Sequence, residues 1–171
     1  DQVIDSGIKV LKIEGRGRAA DYVATVIKTY REAIDSYYEG TFTKEKINTW
    51  MEALATVYNR GFWSGYYLGQ KLGEWSDNPG SNATQKKVYV GKGMHYFPKA
   101  SIAEFKIEAY DIKKGDKILI TGPSTGAQEL ILEDFFVNDL ASEKATKGDS
   151  CTLKVPFRIR LSDKMYKIVE N

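Results

Sequence analysis

The period of the apolar residues changes once along this chain, and no single layer architecture accommodates both halves. Across 19–38 the apolar residues Tyr22, Val23, Val26, Ile27, Tyr30, Ile34, Tyr37 and Tyr38 recur every three or four positions. That spacing predicts an amphipathic helix, which Gly40 stops. Thr43 reads as the N-cap of a second helix with Glu45 in its first turn, running through Ile47, Trp50, Met51, Leu54 and Tyr58 to an exit at Arg60-Gly61. The two predict a helical hairpin. Ahead of them, 8–14 is rich in β-branched residues and ends at Gly15, so it reads as a strand feeding the first helix, half of a βα unit.

The turn formers Ser76, Asp77, Asn78, Pro79, Gly80, Ser81 and Asn82 end this texture, and no helical period follows them. The boundary is placed there, dividing a barrel-end strand and helical hairpin, 1–77, from a small β domain, 78–171. Strands are expected at 85–92, 103–110, 117–121, 128–133, 150–157 and 164–169. Six short strands between glycine and proline turns predict a closed or sandwich-like β domain, making the chain α+β.

An internal echo marks strand entries. Lys114-Gly115-Asp116 and Lys147-Gly148-Asp149 each precede an apolar strand, and Leu161-Ser162-Asp163 is a looser third copy. Glycine adopts the positive φ of a tight turn and aspartate bonds the nearby backbone, so these read as turn devices.

Charge narrows the function classes. The net charge of +2 is too small for the dense basic face that phosphate-backbone binding uses. Residues 1–77 hold 10 basic and 11 acidic side chains, and 78–171 hold 15 and 12, a weak asymmetry that permits a polyanion at the β half. A single cysteine, Cys151, makes no internal disulfide and builds no thiolate cage, which points to the cytoplasm. No apolar run approaches the roughly 20 residues of a membrane span. Neither an initiator Met nor a basic leader opens the sequence, so it is expected to be a piece of something longer.

Candidate chemistry is sparse. Lys12, Glu14, Arg16 and Arg18 cluster where the strand would meet the helix, a rim able to hold a carboxylate or phosphate, with Glu14 orienting a guanidinium or pairing with Arg16. His95, the only histidine, is expected in a loop between strands, without the nucleophile context of a triad. Cys151 reads as a buried filler rather than a nucleophile. Phe62, Trp63, Tyr66, Tyr67 and Trp75, interleaved with Gly61, Gly65, Gly69 and Gly73, form either a recognition surface or mortar between the halves. Arg158 and Arg160 join that recognition set, and with Lys86, Lys87, Lys113 and Lys114 they would carry any RNA contact. The loop 122–126 lacks the Gly-Lys-Ser/Thr ending of a phosphate loop.

Lys12-Ile13-Glu14-Gly15-Arg16 with Arg18, Asp21-Tyr22-Val23 and Tyr30-Arg31-Glu32-Ala33-Ile34-Asp35 resembles the end of the catalytic barrel of peptidase family U32. Arg60-Gly61-Phe62-Trp63-Ser64-Gly65-Tyr66-Tyr67-Leu68-Gly69 is similar to the segment just after that barrel. Val88-Tyr89-Val90-Gly91, Gly115-Asp116-Lys117-Ile118-Leu119-Ile120 and Gly122-Pro123 resemble the family's C-terminal domain. The resemblance implies the remnant of the last βα unit of a TIM-like barrel, followed by a six-stranded barrel like the second domain of translation elongation factors. The family's cysteine signature lies upstream and has no counterpart here. The chain is thus expected to be a non-catalytic accessory part of a collagenase-like protease, recognising or positioning substrate. An RNA-binding part of an iron–sulfur RNA hydroxylation enzyme and a purely structural cap are the alternatives. The implied partners are the upstream barrel, a polypeptide or RNA substrate and a second copy through the N-terminal segment, with no membrane. No cofactor is expected in this stretch, the parent's upstream cysteines being the place for an iron–sulfur cluster.

Overall fold

A computed structural model describes residues 1–63 and 80–171. The chain divides into two compact units, one of residues 1–85 with 171 and the other of 86–170.

The first unit is helical. A single turn, α1 (Gln2–Asp5), is capped by the Asp1 side chain. The long α2 (Ala20–Tyr38) follows the three-and-four spacing of its apolar residues. It ends through a Schellman turn: Gly40 takes φ +70°, its N–H donates to the Tyr37 carbonyl, and Thr41 N–H donates to Ser36 O at 2.8 Å. Thr43 caps α3 (Lys44–Ala55), its hydroxyl accepting from Lys46 N–H at 3.3 Å. That helix stops at Ala55, short of Tyr58, because Thr56 turns back on the Ala53 carbonyl through both its amide and its hydroxyl. Between the helices the buried Ser36 hydroxyl meets Thr41 Oγ1 at 2.9 Å, and Lys46 Nζ donates to both, fixing the hairpin by a polar clasp.

The expected strand at 8–14 does not form. A strand exists only through a partner, and none of the described residues of this unit offers one, so the segment runs extended and unpaired. It leaves Val10 81% exposed. Together with Val3, Ile4, Tyr30, Ile34 and Phe42 it borders an open cavity of about 740 Å3. No residue of α3 is buried, so the helical unit leaves much of its apolar surface open.

The second unit is β. Its strands are β1 (Gln85–Phe97), β2 (Ile102–Ile107), β3 (Ile112–Lys113), β4 (Lys117–Gly122), β5 (Gly126–Ile131), β6 (Phe135–Val137), β7 (Leu140–Ser142), β8 (Lys144–Ala145), β9 (Ser150–Lys154) and β10 (Lys164–Glu170). Eight form one sheet in the order β5-β4-β10-β1-β2-β9-β6-β7, and β3 pairs with β8. All six expected strands are present within this α+β chain. The pairing adds four short ones, and the order of the large sheet, from β5 to β7, does not by itself show the closure of a six-stranded barrel. The added strands are too short to show a period of two, so only pairing reveals them.

Alternation along the paired strands sends Phe105, Ile107, Ile118, Ile120, Phe135 and Met165 into one core. Gly91 is required where β1 crosses β2, since a Cβ there would lie 1.9 Å from the Lys106 carbonyl oxygen. The three echoed turns share one geometry. Asp116, Asp149 and Asp163 each accept the N–H of the residue three before them, Lys113 (2.8 Å), Thr146 (2.7 Å) and Arg160 (2.8 Å). Each donates its own N–H back to that residue's carbonyl. Asp163 is buried and also accepts from Thr125 Oγ1 at 2.5 Å, tying two turns together.

Candidate functional site

The side chains that gather into a site lie where α2 begins and α3 has ended. Arg18 precedes α2, and its guanidinium lies 3.8 Å over the Tyr58 ring and 5.8 Å from that of Tyr22. From the other side Arg60 Nε donates to Tyr58 Oη at 2.9 Å. One phenol therefore holds two guanidinium groups. The Arg60 hydrogen bond first, then Arg18, holds the Tyr58 hydroxyl below the usual phenol range. The rings and the aliphatic side chains of Val26, Met51 and Leu54 wall an open cleft of about 530 Å3, with Phe62 and Trp63 at its edge. No carboxylate lines it among the described residues. Asn59 shapes the entry: its side-chain amide donates to the Ala55 and Val57 carbonyls, and its Oδ1 accepts from Gly61 N–H at 3.1 Å.

Of the residues singled out from the sequence, Arg18, Phe62 and Trp63 meet here. Tyr66, Tyr67 and Trp75 lie outside the described residues, as does most of the turn-former cluster. Lys12 instead borders the cavity beside the N-terminal segment. Glu14 makes no ion pair with Arg16 among the described residues; its Oε1 accepts the Arg16 backbone N–H at 2.8 Å, a local bond within the turn. Tyr22, Tyr58 and Arg60 were not expected as site residues. Tyr22 and Tyr58 carry a spacing that also serves a helix face, and Tyr22 and Arg60 stand in the family-like stretches, but none of these signals marks a site.

The β unit places its remaining candidates apart. Arg158 and Arg160 are exposed on either side of buried Ile159. Lys86 and Lys113 are exposed, Lys87 lies 5.4 Å from the Tyr166 ring centre, and Lys114 pairs with Asp134 at 2.6 Å. Lys92, Lys117, Lys144 and Lys167 are likewise paired, with Glu108, Glu129, Asp111 and Asp116. His95 lies within β1 rather than in a loop, at the bulge that follows Gly93, with its ring 4.4 Å from that of Phe97. Cys151 is fully buried opposite Phe105, and loss of solvation pushes its thiol up to about 12. That thiol is no nucleophile at neutral pH.

The profile of peptidase family U32 matches residues 1–77. A collagenase of Porphyromonas gingivalis is 49% identical over 167 residues, 98% of this chain and 40% of that protein. The chain belongs to peptidase family U32. It spans 40% of the length of that U32 relative. An uncharacterised protease of Methanocaldococcus jannaschii is 34% identical over 99% of this chain and 41% of its own length. A tRNA hydroxylation protein of Bacillus subtilis is 30% identical over 71% of this chain and 29% of its own length. The solved C-terminal domain of a U32-family protein from Geobacillus thermoleovorans superposes with a TM-score of 0.44 at 19% identity, covering 46% of this chain and 96% of that one. No helix among the described residues is long and apolar enough to cross a membrane.

Proposed function

We propose that this stretch is the non-catalytic, substrate-recognising C-terminal part of a U32-family peptidase acting on polypeptide in the cytoplasm. The observation that carries the reading is a division of labour. Cys151 is buried in the core, and His95 is exposed on β1 beside Phe97, with no hydrogen bond to a nucleophile among the described residues. Arg18, Tyr58, Arg60 and the rings beside them open into a cleft instead. The relative named a collagenase supports polypeptide as the ligand class. The open apolar surface of the helical unit supports the upstream barrel of a longer parent as its partner.

The tRNA hydroxylation relative supports a second reading, an RNA-binding accessory part, for which exposed Lys86, Lys113, Arg158 and Arg160 are the available contacts. Titrating the chain with a triple-helical collagen-like peptide and with tRNA at two salt concentrations separates them. The peptidase reading expects peptide binding that falls far less steeply with salt than the binding of a polyanion, and no peptide cleavage. Steeply salt-dependent tRNA binding without peptide binding would overturn it in favour of RNA. Binding to neither leaves a structural cap.

A further inference from the structure

Two guanidinium groups converge on the Tyr58 ring and hydroxyl, and among the described residues no carboxylate lines the cleft beside them. Arg18 uses a face of its guanidinium on the Tyr58 ring, at 3.8 Å. A guanidinium carries five N–H donors in its plane, more than the Tyr58 hydroxyl can use. Arg60 spends Nε on Tyr58 Oη, leaving its terminal amino groups. Two like charges thus share one phenol, and no carboxylate lines the cleft among the described residues. An oxyanion would relieve their repulsion and accept from both, the bond type that guanidinium geometry serves best. The Arg60 hydrogen bond, and Arg18 after it, hold the Tyr58 hydroxyl below the usual phenol range.

We infer that this cleft binds a peptide carboxylate, an acidic side chain or a chain terminus, with a neighbouring apolar side chain seated against its aromatic and aliphatic wall. The inference rests on the recognition reading above and names its ligand chemistry. The size fits, since about 530 Å3 lies within the range of pockets that enclose small ligands, enough for one or two residues. The field favours a single carboxylate over a nucleic acid, because residues 1–77 carry 10 basic against 11 acidic side chains and offer no continuing track for a phosphate backbone.

The test uses the full chain and four probes followed by amide chemical shifts: acetyl-Phe-Glu-amide, acetyl-Phe-Gln-amide, uridine monophosphate and inorganic phosphate. The glutamate peptide should bind at least about tenfold more tightly than the glutamine peptide, the difference made by a charge-assisted bond. R18Q and R60Q should each lose about tenfold for the glutamate peptide. R31Q should lose nothing, since Arg31 pairs with Asp35 on α2 and does not line the cleft. Helix content by circular dichroism checks that each variant folds, and R18K, which keeps the charge, should retain more affinity than R18Q. Equal affinity for the two peptides, no binding of either at millimolar concentration, or unchanged affinity in R18Q and R60Q overturns the inference. Tighter binding of uridine monophosphate or of phosphate alone overturns it too. If the collagen-like peptide binds while the glutamate peptide does not, this inference falls and the recognition reading stands. If the reverse holds, the recognition reading falls and the carboxylate site stands.

Discussion

Cys151 and Tyr89 show how burial turns ordinary side chains into pH-dependent contributors. Burial raises the Cys151 thiol to about 12, with Asp149 and Glu104 adding to it. Burial also raises the Tyr89 hydroxyl to about 12, helped by its 2.5 Å hydrogen bond to Glu108. Both groups are acids whose folded values exceed their unfolded ones. The unfolded chain therefore ionises first as pH rises, binds fewer protons than the folded chain, and gains stability relative to it. The contribution is whole below about pH 9 and declines as pH climbs toward about 12, by up to about 1.4 kcal/mol per pH unit for each group. Urea denaturation at pH 8, 9 and 10 should show the midpoint falling, and C151A should flatten the earlier part of that fall. A thiol reagent should label Cys151 only in urea. Labelling at the native rate of a free thiol would remove the physical basis of both expectations.

At the scale of the element, the strands of the β unit are ordered by their entry turns and by glycines that let backbones approach. The three turns differ in one respect. Gly115 and Gly148 carry the positive φ in two of them, whereas Ser162 carries φ +68° in the third. A side chain in that region costs about 1 kcal/mol relative to glycine, so Ser162→Gly should raise the stability of the β unit by up to about that amount. Gly91→Ala should act the other way. Its Cβ would meet a backbone oxygen at 1.9 Å, which no rotamer relieves, so a loss of about 1–3 kcal/mol or more is expected. Paired urea melts of the two variants check both signs. A neutral Gly91→Ala would show that β1 and β2 separate freely at this point.

At the scale of the whole molecule, apolar burial among the described residues is concentrated in the β unit. The β unit closes around fully buried Phe105 and Phe135, whereas α3 buries no residue and Val26 is the one apolar residue of α2 that is buried. Two units of such unequal cores should unfold in separate steps. Phe105→Ala should lower the β unit's transition by about 3–5 kcal/mol while leaving the helical signal at 222 nm to melt where it does in the parent. A single merged transition, shifted as a whole, would show that the helices depend on the β core.

Much of this fold is legible in the sequence, for a definite reason. The three-and-four spacing of 22–38, the Gly40 stop, the Thr43 cap and the alternation of the six longer strands are local properties, carried by residues whose neighbours in sequence decide their conformation. The family is legible for the same reason, since the matched stretch 1–77 stands in the chain itself. What depends on partners was hidden. The segment 8–14 has the composition of a strand, yet a strand requires a neighbour to pair with, and only the folded arrangement shows that none of the described residues supplies one. The cleft is of the same kind. Arg18 and Tyr58 stand forty positions apart, and nothing in either local sequence states that a guanidinium will lie on that ring. Local interactions wrote the elements into the chain, while long-range packing alone decided which charges would meet and which surfaces would stay open.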